Sequence, residues 1–329
     1  MAQVVIALIG AGRIGKVHAS GVAQHPQARL AAVVDVYAPA AGALADEYGA
    51  RVASEDEVFA DERIDAVLIA SATDTHAELI ERGARTGKAI FCEKPVDLSL
   101  ERVQRCLATV EEHGARLFVG FNRRFDLHFQ ALKTALDRGD IGKPELLHIT
   151  SRDPGPPPLD YVKVSGGLFR DMMIHDLDIA RWLLGEPVAV SASGSCLIDP
   201  AIGAAGDVDT ATVTLKFAGG ELALISNSRR ASYGYDQRLE IHGSEGMLQV
   251  HNPPETQLVT SGAAGVVAQK PLPFFLERYA GAYRAELDAF IRMVLGGTEP
   301  EVSGVDGERA LVLAEAALRA HESGQTQLL

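Results

Sequence analysis

Short apolar runs alternate with helix-like segments over residues 1–122, the pattern of a parallel sheet with crossover helices. Val4–Ile9 reads as the first strand and Ile14–His25 as the helix after it. Leu30–Asp35 and Ala38–Tyr48 repeat the pair. Ala66–Ala70 is a strand ended by polar Ser71–Asp74, and a helix follows to about Arg85. Ala89–Cys92 and Leu117–Gly120 are further strands, separated by a helix from Ser99 to about His113. The character changes after Gly120. From about residue 145 alternation takes over, with strands at Val188–Leu197, Val208–Phe217, Glu221–Arg229, Gln237–His242 and Met247–Val250. Gly219-Gly220 and Gly243–Gly246 make hairpin turns between them. One helix, about Phe169–Leu184, is stopped by Gly185 and Pro187, and two more, Tyr279–Leu295 and Asp306–Ser323, close the chain. The fold class is α/β. A doubly wound parallel sheet over 1–122 is followed by an α+β domain over 123–329 with a large, mostly antiparallel open sheet.

Composition narrows the function. The 329 residues carry 31 Lys+Arg against 44 Asp+Glu, a net charge of −13. A nucleic-acid partner is excluded by that sign, because phosphate neutralisation needs a basic field. No apolar run approaches the roughly 20 residues that span a bilayer, so no membrane partner is expected. Cys92, Cys106 and Cys196 are few and scattered. They fit neither a disulfide framework nor a CxxC-type zinc site, and read as buried thiols in a reducing cytoplasm with no metal.

Gly10-Ala11-Gly12-Arg13-Ile14-Gly15 follows the first strand and opens a helix. Gly10 permits the tight turn, Gly12 lets a pyrophosphate approach the backbone, and Gly15 lets helix and strand pack closely. The helix N-terminus then offers unpaired N–H groups and partial positive charge to the anion. Asp35 ends the second strand, 20 residues after Gly15, where a carboxylate accepts hydrogen bonds from both ribose hydroxyls. With strand, helix and acid in register, the segment is a Rossmann dinucleotide site. Val36-Tyr37-Ala38 offers no Arg or Lys to a 2′-phosphate, so NAD is favoured over NADP.

Three further elements carry chemistry-bearing residues. Lys94, in Glu93-Lys94-Pro95, lies at the C-terminal end of a strand, where open α/β sheets bind ligands. An ammonium there can stabilise a developing alkoxide, though a surface Glu–Lys pair before a turn has the same spacing. Asp171, His175 and Asp178 fall on one stripe of the expected helix at spacings of four and three. A histidine oriented by a carboxylate can take a hydroxyl proton. A solvated helix face would present the same residues. The polar segments Gly120–Arg124 and Ser151–Pro154 suit either a polyol or an ordinary surface.

Taken together these residues resemble the Gfo/Idh/MocA oxidoreductases over essentially the whole chain. The resemblance is carried by Gly10–Gly15, Thr73-Asp74-Thr75-His76, Glu93-Lys94-Pro95, Gly120–Phe125 and Gly166–Asp176. Within the family, Tyr161–Gly167, Asn227-Ser228-Arg229 and Tyr233–Gln237 are most similar to inositol dehydrogenases. Ala72 stands where the family often has proline.

The resemblance implies a catalytic set of Lys94, Asp171 and His175 and a cis bond between Lys94 and Pro95. It implies a cofactor site of Gly10, Gly12, Arg13, Ile14, Gly15, Asp35, Ser71, Thr73, His76, Glu93 and Lys94. Asn122, Arg123, Asp153, Asp178, Tyr235 and Tyr283 fall where inositol dehydrogenases contact the polyol or its neighbours. A homotetramer packed through the C-terminal sheet is also implied, which apolar residues on both faces of Val208–Phe217 would suit. The expected reaction is NAD-dependent oxidation of a ring hydroxyl of myo-inositol to the inosose. Its rivals are another inositol isomer, a pyranose sugar, and a non-catalytic NAD-binding sensor, whose mark would be loss of the lysine or histidine.

Overall fold

In the computed structural model, which describes residues 3–329, the apolar run Val4–Ile9 (β1) sits inside a six-stranded parallel sheet. The other strands are β2 (Ala28–Val34), β3 (Arg51–Val52), β4 (Ala66–Ile69), β5 (Ala89–Glu93) and β6 (Leu117–Gly120). Their spatial order is β3-β2-β1-β4-β5-β6. β1 and β4 are buried on both faces beneath crossover helices, which is why they read as continuous apolar runs rather than alternation. The chain leaves β1 on one side through β2 and returns on the other as β4. Such a switch point leaves a crevice at the strand C-terminal ends. Gly10, Asp35, Ser71 and Lys94 all lie just beyond those ends.

The chain forms two compact units, Met1–Asn122 with Ala282–Leu311, and Arg123–Gly281 with Val312–Leu329. Each unit is assembled from two separate stretches of the chain. Most of the helix Ala280–Gly296 belongs to the first unit, where Phe290 meets Phe91 at 5.6 Å and Phe118 at 6.0 Å. Periodicity identifies such a helix as amphipathic without saying which sheet takes its apolar face.

The second unit is built on a seven-stranded sheet of β7 (Pro144–Arg152), β8 (Pro187–Ser195), β9 (Thr210–Phe217), β10 (Leu222–Ser228), β11 (Asp236–Gly243), β12 (Gly246–Val250) and, after the hairpin β13 (Val259–Gly262) and β14 (Gly265–Ala268), β15 (Gln327–Leu328). All neighbours are antiparallel except β7 and β10, which run parallel. On the inner face Leu147, Ile149, Val213, Leu215, Ile225 and Leu239 pack into one core with Leu177 and Ala180 of the helix Ile174–Leu184.

Two expectations are corrected here. β9 is not apolar on both faces: Ala211, Val213, Leu215 and Phe217 are buried while Thr212, Thr214 and Lys216 are exposed. The exposed apolar residues of the sheet come instead from other strands, with Leu146 paired to Leu222 and with Leu224 and Met247. Nor is Phe169–Leu184 one helix. The carbonyl of Leu168 accepts the N–H groups of both Met172 and Met173, a wide turn that separates Gly167–Asp171 from Ile174–Leu184. An extra residue in one turn rotates everything after it by about 100°. Among the described residues no helix is long and apolar enough to cross a membrane.

Candidate active site

At the cofactor end of the first unit, backbone geometry demands the glycines. Gly10 has φ of +103°, and a Cβ on it would lie 2.4 Å from the Ala70 carbonyl oxygen. A Cβ on Gly15 would lie 1.9 Å from the Gly10 carbonyl oxygen. Gly12 is different. Its Cβ would meet nothing within 4 Å, so the backbone there is open to an approaching ligand. Gly12 is also the N-cap of the helix Arg13–Gln24 and supplies no side-chain hydrogen bond to it. The first-turn N–H groups and the helix dipole therefore suit a pyrophosphate. Arg13 is exposed and Ile14 half-buried. Asp35 Oδ1 accepts the Tyr37 N–H at 2.7 Å, and Val36 and Tyr37 are exposed side chains without positive charge. The residues present fit an NAD cofactor.

The ends of β4 and β5 are tied together by His76. Its Nδ1 lies 2.8 Å from the Pro95 carbonyl oxygen and its Nε2 3.1 Å from that of Ser71. Burial holds the imidazole below its ordinary pKa, so the ring is neutral and its single N–H serves one carbonyl at a time. Lys94-Pro95 is a cis peptide. Glu93, which precedes it, turns toward the buried His18, with Oε1 2.7 Å from Nε2. His76 and Glu93 thus brace the loops that carry Ser71 and Lys94. Thr73 opens the helix Thr73–Arg85, and Tyr283 stands edge-on to His18 at 5.8 Å.

In the second unit the sheet's inner face turns polar at one end. Ser151 of β7 is in register with Asn227 of β10 and Gln237 of β11. Buried Asp176 rests on this row, accepting from Asn227 Nδ2 at 2.9 Å and Arg123 Nη1 at 2.5 Å. One residue beyond the strands lie Asp153 and Arg229. The Arg229 guanidinium approaches Asp171 Oδ2 at 3.2 Å and Asp153 Oδ2 at 3.4 Å. The Tyr161 hydroxyl donates to the other oxygen of Asp171 at 2.9 Å. His175 lies four residues on from Asp171, across the wide turn, and is partly exposed. Asp153 keeps its proton up to about pH 6, because burial raises its pKa more than Arg229 lowers it.

The residues assigned to the polyol by resemblance therefore divide. Asp153 is partly exposed and bonded to the group that holds Asp171. Asp178 is fully buried, with both oxygens bonded to Arg124 at 2.9 and 2.6 Å, and shares the helix Ile174–Leu184 with His175, whereas Asp171 precedes the wide turn. Arg123 is committed to Asp176, and Tyr235 is buried against the rings of Phe274 and Tyr279. Asn122 is buried at the start of the 3₁₀ turn Asn122–Phe125. Sequence reasoning gave no individual role to Arg229, Tyr161 or Arg124, although all three lie in quoted motifs. A charged residue continuing the buried side of a strand was the available signal for Arg229.

Comparison with known proteins identifies the family. Residues 4–121 match an oxidoreductase family with an NAD-binding Rossmann fold, and residues 129–249 match the GFO/IDH/MocA C-terminal domain. An inositol 2-dehydrogenase of Rhizobium meliloti is 54% identical over 313 residues, 95% of each chain. A myo-inositol 2-dehydrogenase of Thermotoga maritima is 48% identical over 320 residues, 96% of each chain. The crystal structure of a scyllo-inositol dehydrogenase from Lactobacillus casei, with bound NAD(H) and scyllo-inositol, has a TM-score of 0.92 at 30% identity over 99% of each chain.

Proposed function

Because the chain belongs to the Gfo/Idh/MocA oxidoreductases and carries their NAD-binding domain, we propose that it oxidises a ring hydroxyl of myo-inositol to give the inosose. The observation that carries this reading is the fixed Asp171 carboxylate one turn before His175, on a sheet end lined with polar side chains. It is supported by relatives whose names specify inositol at identities near one half.

In this mechanism His175 takes the proton of the substrate hydroxyl. Asp171, held by Tyr161 and Arg229, orients the imidazole and stabilises its charged form. Lys94 lowers the energy of the alkoxide as it develops. Asp153 accepts hydrogen bonds from neighbouring ring hydroxyls. NAD supplies the hydride acceptor when bound, and Asp35 selects it by repelling a 2′-phosphate. The open face of the C-terminal sheet, with Leu146, Leu222, Leu224 and Met247, is the surface through which copies assemble into a tetramer.

A panel of inositols and aldoses, each assayed with NAD and NADP, tests the reading. NADH formation with myo-inositol, and much less NADPH with NADP, is the expected outcome. Turnover of an aldose in preference to every inositol would replace the substrate. No turnover of any polyol would favour a non-catalytic NAD sensor.

A further inference from the structure

We propose that Arg229 is a positioning residue for the dehydrogenation, its guanidinium holding Asp171 and Asp153 as one carboxylate pair. The inference rests on the roles of Asp171 and Asp153 given above. Arg229 is buried, yet its side chain ends between two carboxylates from different segments of the chain. Nη1 lies 3.3 Å from Asp171 Oδ2 and 3.4 Å from Asp153 Oδ2, and Nη2 lies 3.2 Å from Asp171 Oδ2.

The backbone fixes this placement. Arg229 follows β10 directly, and its N–H donates to the Asp209 carbonyl at 2.8 Å. Asp153 follows β7, the parallel neighbour, and its N–H donates to the Ser228 carbonyl at 2.9 Å. The first bond extends the ladder between β10 and β9 and the second that between β7 and β10, so neither residue can shift without breaking a ladder bond. Asp171 is held from its other side by Tyr161.

The pair needs a cation between its members. Two carboxylates brought together out of water repel, and one of them retains a proton into the neutral range. A protonated Asp171 would no longer stabilise a charged His175. A protonated Asp153 would present a donor in place of one acceptor site and accept more weakly from hydroxyls. Arginine suits the position better than lysine, because a planar fork reaches two acceptors in fixed directions and an ammonium is a single point. The charged groups acting on Asp153 are Arg229, Asp171 and Arg123. One guanidinium thus couples the carboxylate that binds substrate to the one that supports the base.

The test uses the full-length enzyme with Arg229→Lys, Arg229→Met and Asp153→Asn. In Arg229→Lys, kcat for inositol oxidation is expected to fall about tenfold or more, while the Kd for NAD stays within about twofold of the wild type. The double variant R229K/D153N is expected to lose less than the product of the two single losses, because both act through the same bridge. Wild-type kcat and KM in Arg229→Lys, or losses that simply multiply, would overturn the proposal. A second readout needs no substrate. By carbon-13 NMR of aspartate carboxyls, Asp153 should titrate at about 6 in the wild type and roughly one pH unit higher in Arg229→Met, or in Arg229→Gln if the methionine variant does not fold. An unmoved titration overturns the pairing. A wild type inactive on every polyol, with the titration moving as expected, would instead sink the substrate reading and leave the pairing standing.

Discussion

Asp35 Oδ2 accepts the Ala11 backbone N–H at 2.6 Å, which ties the end of β2 to the glycine turn after β1. The carboxylate is thereby held at the cofactor end of the sheet before any ribose arrives. Asp35→Ala removes both that brace and the acceptor for the ribose hydroxyls. Calorimetry should show the Kd for NAD rising roughly tenfold to a hundredfold. The Kd for NADP should change less, since the same substitution removes a repulsion.

Asp153 sets a second expectation, in pH. Its pKa stands near 6, chiefly through burial. The ionised form is the better acceptor of hydrogen bonds from ring hydroxyls, so kcat/KM for inositol should decline below about pH 6. In Asp153→Asn the value should be lower throughout, and the decline should lose the contribution of this group. An unchanged acid limb in that variant would remove Asp153 from substrate binding.

The buried bidentate pair Asp178–Arg124 predicts loss of stability rather than of affinity. Asp178→Asn leaves the Arg124 charge buried with a weaker partner, and breaking such pairs costs about 3–5 kcal/mol. Denaturant unfolding measures this directly. Wild-type stability with a raised KM would instead make Asp178 a polyol contact.

Glu286 is wholly buried, and among the described residues neither carboxyl oxygen has a hydrogen-bond partner. Burial first, and then the nearby Glu93, push its pKa well above the carboxylate range. The folded protein therefore holds a proton that the unfolded chain releases above its ordinary pKa. Stability from this group is full below that pKa and falls as pH rises toward the folded value. Glu286→Gln removes the penalty, so its melting temperature relative to the wild type should increase from pH 5 to pH 8. A difference independent of pH would contradict the assignment.

The cofactor half of the molecule was legible because its determinants are local. Gly10, Gly12, Gly15 and Asp35 act through turns and strand ends that the hydrophobic pattern already locates, and the cis Lys94-Pro95 bond followed from family resemblance. β3 and the helix Glu55–Ala60 escaped because two and six residues are too short to leave a period. In the second unit the decisive features are nonlocal. The parallel pairing of β7 with β10 joins segments about 75 residues apart, so nothing in either segment announces that Asp153 will meet Arg229. The stripe of Asp171, His175 and Asp178 assumes unbroken helical phase, whereas the turn at Met172 and Met173 separates Asp171 from the helix Ile174–Leu184 that carries both His175 and Asp178. The apolar content of Val208–Phe217 was placed on two faces, whereas strict alternation puts it on one.

The central claim is that His175 removes the substrate proton in an NAD-dependent oxidation of an inositol ring hydroxyl. Single-turnover formation of NADH from myo-inositol, compared between the wild type and His175→Ala at saturating NAD, addresses it most directly. The account predicts a rate lower by about 10²–10⁴-fold with NAD affinity preserved. A His175→Ala rate equal to that of the wild type would contradict it.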